Sequence, residues 1–243
     1  MNRALEVLVT SGGTISEIDD VRHIGNFSTG TTGAIIAEEF LGSEAKVHYV
    51  YCEKAPVPFK RKMTLDPNKD LSIEIERLKG VYHKYSKCKD LLLEYPIKTF
   101  EDYFQTLKCS LENNPIDVVV LAAAVSDYSA IKTNGKISSD EDELVIRLKR
   151  NPKVISLVKA WRPEVYQVGF KLLVDVSKED LIKTAYNHLI KNNSDLVVAN
   201  SLSSQDLTKT ATLIITSNNE LHEVKRSELA RKLVEIVKEK GYN

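Results

Sequence analysis

Arg22, Asn26, Ser28, Thr29, Gly30 and Gly33 place a cation, an amide and two hydroxyls just ahead of an apolar run with helical spacing. A helix start carries unpaired N–H groups and a partial positive charge, so phosphate or carboxylate is the ligand it takes. Upstream, Ser11-Gly12-Gly13-Thr14 offers hydroxyls and a backbone that a ligand can approach closely. Alone, that tetrapeptide is equally well explained as a tight turn out of a strand. A capped helix with one glycine contact explains Ser28 and Gly33, but it leaves Arg22 and Asn26 without a purpose. No Gly-Lys-Ser/Thr closes the segment, so it is not a Walker A loop.

Further along, Ala122-Ala123-Ala124-Val125-Ser126-Asp127 leaves room against a sheet and then presents a carboxylate. Asp127 could hold a ribose hydroxyl or a magnesium-bound phosphate; otherwise it caps a turn. Lys136, in Lys132-Thr-Asn-Gly-Lys136-Ile137, sits on a polar arm from which a lysine can close over a triphosphate and offset charge during phosphoryl transfer. Without such neighbours a surface lysine is merely solvated. Pro152, Lys153, Val154 and Ile155 follow Arg150-Asn151, and Phe170 and Lys171 follow Gly169. Phe170 at a strand end could stack on a nucleobase; an aromatic there is otherwise core.

The elements that must carry these groups follow from periodicity. Residues 5–10 and 46–52 read as strands around a helix at 29–41 capped by Ser28 or Thr29, which makes a βαβ unit. Residues 117–124 are apolar on both faces, as expected for the centre of a parallel sheet. Further strands are expected at 165–170 and 195–199, with helices at 100–112 behind Thr99 and at 153–161, 178–192 and 226–240. A closing hairpin joins 210–216 to 220–224. Residues 53–90 read as an irregular, lysine-rich insertion with one short strand at 71–75. Residues 129–150 read as a β-hairpin arm, a flap or a dimer contact. The fold class is α/β: a Rossmann-like, mostly parallel sheet flanked by helices, in one domain over residues 1–243.

Composition sets outer limits. Lys+Arg and Asp+Glu are both 34, which argues against broad nucleic-acid binding. The 42% hydrophobic content supports a real core. Cys52, Cys88 and Cys109 form no CxxC pair, and no metal-ligand set stands out. No apolar stretch is long enough for a membrane helix or a signal peptide, so a cytoplasmic protein with no membrane partner is expected.

In order along the chain, these segments resemble phosphopantothenoylcysteine synthetase. The matches are Ser11-Gly-Gly-Thr14, Val21-Arg-His-Ile-Gly-Asn-Phe-Ser-Thr-Gly30, Ala122-Ala-Ala-Val-Ser-Asp-Tyr128, Gly135-Lys-Ile137, Asn151-Pro152, Gly169-Phe-Lys-Leu172 and Val198-Ala-Asn200. The stand-alone bacterial form is the one resembled, since no flavin-dependent decarboxylase segment precedes Met1. That likeness implies a homodimeric ligase of coenzyme A biosynthesis. In it a nucleoside triphosphate with Mg²⁺ activates the 4'-phosphopantothenate carboxylate as an acyl nucleotidylate, and the cysteine amine then displaces the monophosphate. By the same likeness Asn26 holds the activated carboxylate, Arg22 supports acyl transfer and Lys136 covers the phosphates. Asp127, residues 152–155, Phe170 and Lys191 match nucleotide positions, and Ser11–Thr14, Ser28–Gly30, Ala123 and Ala124 line the ligands. Asn187 stands where many bacterial relatives carry lysine, and Lys171 where they often carry alanine; CTP is favoured over ATP.

Two other readings compete. A Rossmann-type NAD(P)-dependent oxidoreductase would explain the glycine turn, but the GxGxxG spacing is missing. Tyr128 and Lys132 have dehydrogenase spacing, yet they lie in a loop rather than on a helix. A non-catalytic nucleotide-binding regulator would bind without turnover.

Overall fold

The structure, a computed structural model, describes residues 3–202 and 211–242. In chain order its elements are β1 (Glu6–Ser11), β2 (Ile15–Glu17), β3 (His23–Gly25), α1 (Thr31–Gly42), β4 (Lys46–Cys52), α2 (Leu71–Cys88), β5 (Leu92–Ile97), α3 (Phe100–Asn113) and β6 (Val118–Leu121). Then come β7 (Tyr128–Ala130), β8 (Leu148–Arg150), α4 (Val158–Trp161), β9 (Tyr166–Val174), α5 (Lys178–Lys191), β10 (Leu196–Leu202), β11 (Ala211–Thr216), β12 (Leu221–Val224) and α6 (Leu229–Glu239).

The eight-stranded sheet has the order β12-β11-β10-β9-β6-β1-β4-β5, with the last six strands parallel and the closing pair antiparallel. Alternate residues of each strand serve opposite faces. Val7, Val9, Val118, Val120 and Val198 pack with α1 and α6 on one face. On the other, Leu8, Val119 and Leu121 pack with α3 and α4, while Val197 and Leu213 pack under α5. Burial on both faces is why these strands read as nearly continuous apolar runs.

Several expectations need correcting. Residues 71–75 are not a strand but the first turns of α2. Asp70 accepts hydrogen bonds from the Ser72 and Ile73 amides at 2.9 and 3.2 Å, which starts a helix. The Leu71, Ile73, Ile75 alternation misleads because all three are exposed, while Val81, Tyr85 and Cys88 supply the buried face. Strand β5 was not anticipated; it forms the sheet edge, where Pro96 costs no ladder hydrogen bond.

The cap of α1 is Gly30 in the left-handed region, not Ser28 or Thr29. Residues 153–161 divide into a 3-10 turn, Val154–Ser156, and the short α4. The arm is a hairpin only at its base, where Tyr128, Ser129 and Ala130 pair with Arg150, Lys149 and Leu148. Leu144 and Val145 stay exposed, so the alternation further out has no face to bury. The other expected strands, helices and the closing hairpin form with bounds moved by a few residues; the first residue expected in that hairpin, Thr210, lies outside the described residues.

Candidate functional site

The site is built at the carboxyl ends of the central strands, where open α/β sheets bind ligands. Ser11 is fully buried and its hydroxyl donates to the Gly30 carbonyl at 2.7 Å, fixing the start of α1 against the end of β1. Only glycine fits at position 30. Its φ is +74°, and a Cβ there would lie 2.6 Å from Ala55 Cβ. The Gly12 carbonyl accepts from the Ala124 amide at 2.7 Å, and the Thr14 amide donates to the Ala124 carbonyl at 3.2 Å. Thr14 Oγ1 accepts from the Ser126 amide at 3.3 Å. Two loops far apart in sequence, Ser11-Gly12-Gly13-Thr14 and residues 122–126, are thereby stitched together.

Asn26 is exposed and donates to the Ala124 carbonyl at 3.3 Å, a long bond that a ligand oxygen could displace. Beside it opens a cavity of about 400 Å³, bounded by Ser28, Thr29 and the first turn of α1, by Ala122–Ala124, and by Phe170, Lys171, Asn200 and Arg226. Among the described residues no carboxylate lines it. Hydroxyls, helix-start amides and two cations together suit an anion. A second cavity of about 470 Å³ lies beyond Ser129 and Pro152. Its Lys132 is engaged by Glu17 and Asp20 at 3.0 and 3.1 Å, so it is electrostatically satisfied.

Arg22 is tied down. Its guanidinium donates to Asp19 at 2.9 and 2.6 Å and to the Ile137 carbonyl at 2.8 Å. The buried Asp19 carboxylate also accepts from the Ile137 amide at 3.1 Å, and Asp20 accepts from the Gly135 amide at 2.9 Å. The Arg22 guanidinium holds the Asp19 carboxyl well below the usual carboxylate range. Lys136 thus stands exposed between two anchored residues, on an arm stapled to the β2–β3 segment of its own chain. Lys132 belongs to the same staple, which removes it from any tyrosine–lysine pair with Tyr128.

Lys153 Nζ meets Asp127 at 2.5 Å, and Asn151 donates to the Ser126 carbonyl at 2.9 Å. Val154 is buried, and Ile155 packs against Gly169. Protonation of His188 is disfavoured first by burial and then by the charges of Lys171, Lys153 and Lys191. Cys52, beside Gly12, is buried, which pushes its thiol up to about 11.

Asn200 and Arg226 were missed as site residues. Thr212 donates to Asn200 Oδ1 at 2.9 Å, which among the described residues leaves the Asn200 amide N–H groups for the cavity. Val198-Ala-Asn200 was visible as a motif, but nothing in the local sequence marks Arg226. It reaches the cavity only because α6 packs beside α1.

A family model described as the DNA/pantothenate metabolism flavoprotein C-terminal domain matches residues 3–70 and 87–240. The chain is 35% identical over 199 residues to the coenzyme A biosynthesis bifunctional protein CoaBC of Thermococcus kodakarensis, covering 81% of this chain and 41% of that protein. It therefore spans about two fifths of that relative's length. It is 31% identical over 259 residues to the phosphopantothenate–cysteine ligase of Homo sapiens, covering 95% of this chain and 82% of that one. Among solved structures, the DNA/pantothenate metabolism flavoprotein from Streptococcus pneumoniae superposes with a TM-score of 0.76 at 29% identity, covering 97% and 99% of the two chains.

Proposed function

The chain belongs to the family of the DNA/pantothenate metabolism flavoprotein C-terminal domain and of the phosphopantothenate–cysteine ligases, and from that premise we propose that it joins 4'-phosphopantothenate to L-cysteine at the expense of a nucleoside triphosphate. The observation that carries the reading is the cavity at the α1 start, which among the described residues is lined by no carboxylate, with Asn26 and Ala124 at its edge. A carboxylate is a poor acyl donor at neutral pH, because it resists nucleophilic attack and has no good leaving group. In the proposed first step its oxygen attacks the α-phosphorus and pyrophosphate leaves. In the second, the cysteine amine attacks the acyl carbon, the C–O bond breaks and the nucleoside monophosphate departs.

The chain's own contribution is position and charge. Asn26 holds the activated carboxyl. Arg22, locked by Asp19, fixes the geometry of the β2–β3 segment and, through it, of the arm that carries Lys136. Lys136 covers the phosphates. Asp127, Lys153, Phe170 and Lys191 hold the nucleotide, with Lys171 supplying charge beside Asn187; CTP is the favoured nucleotide. Among the described residues no group of three or more His, Cys, Asp or Glu could cage a metal. Mg²⁺ accordingly belongs to this reading as the triphosphate's own counter-ion, neutralising charge there. The exposed Val21, Ile24, Phe27, Tyr128 and Ile131 give the implied homodimer an apolar surface to cover. A cytoplasmic site of action is consistent with the free cysteines.

The test is to incubate the protein with 4'-phosphopantothenate, cysteine, Mg²⁺ and either CTP or ATP, and to measure pyrophosphate. Pyrophosphate release that depends on phosphopantothenate is expected, faster with CTP. None with either nucleotide would remove the ligase reading, and faster release with ATP would reverse the base assignment.

A further inference from the structure

Arg226 comes from the far end of the chain, yet it lines the same cavity as the α1 start. It sits in a turn closed by the Glu228 amide donating to the Lys225 carbonyl at 2.9 Å, just before α6. That turn is not free to wander. Leu229, Leu233 and Ile236 of α6 are buried in the cluster that also holds Ile36, Phe40 and Leu41 of α1, so one packed unit sets both the helix start and Arg226. Among the described residues the Arg226 guanidinium has no carboxylate partner and no hydrogen bond, although most cations of the fold are paired. Lys171 faces the cavity from β9 and is likewise without an ion pair among the described residues. Asn200, its oxygen occupied by Thr212, contributes amide donors.

Among the described residues this cavity has two cations without an ion pair, four hydroxyl-bearing residues and no acid, a lining that suits an anion. A guanidinium is the group best shaped to take a phosphate through two parallel N–H bonds. We propose that Arg226 is a phosphate-binding residue of this cavity, closing it opposite the α1 start. This deepens the ligase reading, which offers two sources of the same chemistry: the triphosphate tail that leaves as pyrophosphate, and the phosphate monoester of phosphopantothenate.

Arg226→Ala and Arg226→Lys decide it, read in two ways. Binding of inorganic pyrophosphate and of inorganic phosphate to the full chain is measured by calorimetry, which needs no turnover. KM for each substrate is measured alongside, with Tm as a folding control; because Arg226 is exposed, Tm should not move. Loss of a charge-assisted phosphate contact is expected to weaken binding by about ten- to hundredfold in Arg226→Ala, with Arg226→Lys between. A raised KM for the nucleotide together with weakened pyrophosphate binding identifies the triphosphate tail. A raised KM for phosphopantothenate together with weakened phosphate binding identifies the monoester. If pyrophosphate, phosphate and both KM values stay within twofold of the parent protein, the assignment is overturned. Weakened pyrophosphate or phosphate binding in a protein that never makes product would uphold Arg226 while removing the ligase reading.

Discussion

Replacing Gly33 by alanine asks whether the close approach of α1 to β1 builds the anion site. A Cβ at position 33 would stand 2.6 Å from Ser11 Oγ, 2.7 Å from Ser11 Cβ and 3.1 Å from the Thr10 carbonyl oxygen. Comfortable carbon contacts lie at about 3.5–4.0 Å, so something must move by about 1 Å. Ser11 has little freedom to give way. It is fully buried and its hydroxyl is committed to Gly30 at 2.7 Å. Two effects then compete. Alanine improves helix propensity by about 1 kcal/mol. Overpacking costs about 1–3 kcal/mol, and breaking the Ser11–Gly30 bond about 1 kcal/mol more.

The clash wins, and Gly33→Ala is expected to destabilise by about 1–3 kcal/mol. The functional loss is larger, because a displacement of about 1 Å in a positioning element costs on the order of a hundredfold in rate. Pyrophosphate release gives kcat/KM, and urea melts give the stability. Ser11→Gly removes two of the three crowding atoms, so Gly33→Ala should cost about 1–2 kcal/mol less in that background. Wild-type kcat/KM and Tm for Gly33→Ala, or strict additivity in the pair, would refute the argument.

Asn26→Ala is expected to abolish product while leaving Tm within a few degrees, since the residue is exposed and its one bond is long; product formation followed by chromatography checks this. Lys136→Ala should slow pyrophosphate release more than the reaction of preformed nucleotidylate with cysteine, and equal slowing in single-turnover measurements would contradict its role. Glu17 titrates at about 2, held down by its hydrogen bonds to Lys98 and Lys132, against an ordinary value of 4.5. A lowered acid stabilises the fold above its unfolded value and loses that contribution as pH falls from 4.5 towards 2. Acid melts of the parent protein should therefore steepen across that window, and Glu17→Gln should flatten them.

The central sheet was legible because strands buried on both faces leave unbroken apolar runs, as in residues 117–121. The α3 start was legible because Thr99 and Asp102 form a complete capping box. Helix α2 was not. Its apolar residues at 71, 73 and 75 lie at strand spacing and are exposed, so periodicity pointed away from the helix that Asp70 nucleates. For the site, local sequence marked the α1 start, Asn26 and the alanine loop. It could not show that Ser11 would be buried under Gly30, nor that Asp19 and Asp20 would pin the arm. The first rests on a tertiary contact between the end of β1 and the start of α1, the second on contacts between segments more than a hundred residues apart. Arg226 was invisible for the same reason: only the packing of α6 on α1 brings it to the cavity.

The most direct measurement uses phosphopantothenate labelled with ¹⁸O in both carboxylate oxygens. If the carboxylate attacks the α-phosphorus and the amine then expels the nucleotide, one ¹⁸O must appear in the nucleoside monophosphate and the other must stay in the amide. Mass spectrometry should find singly labelled monophosphate and unlabelled pyrophosphate. Label in inorganic phosphate, with nucleoside diphosphate as the co-product, would contradict the account.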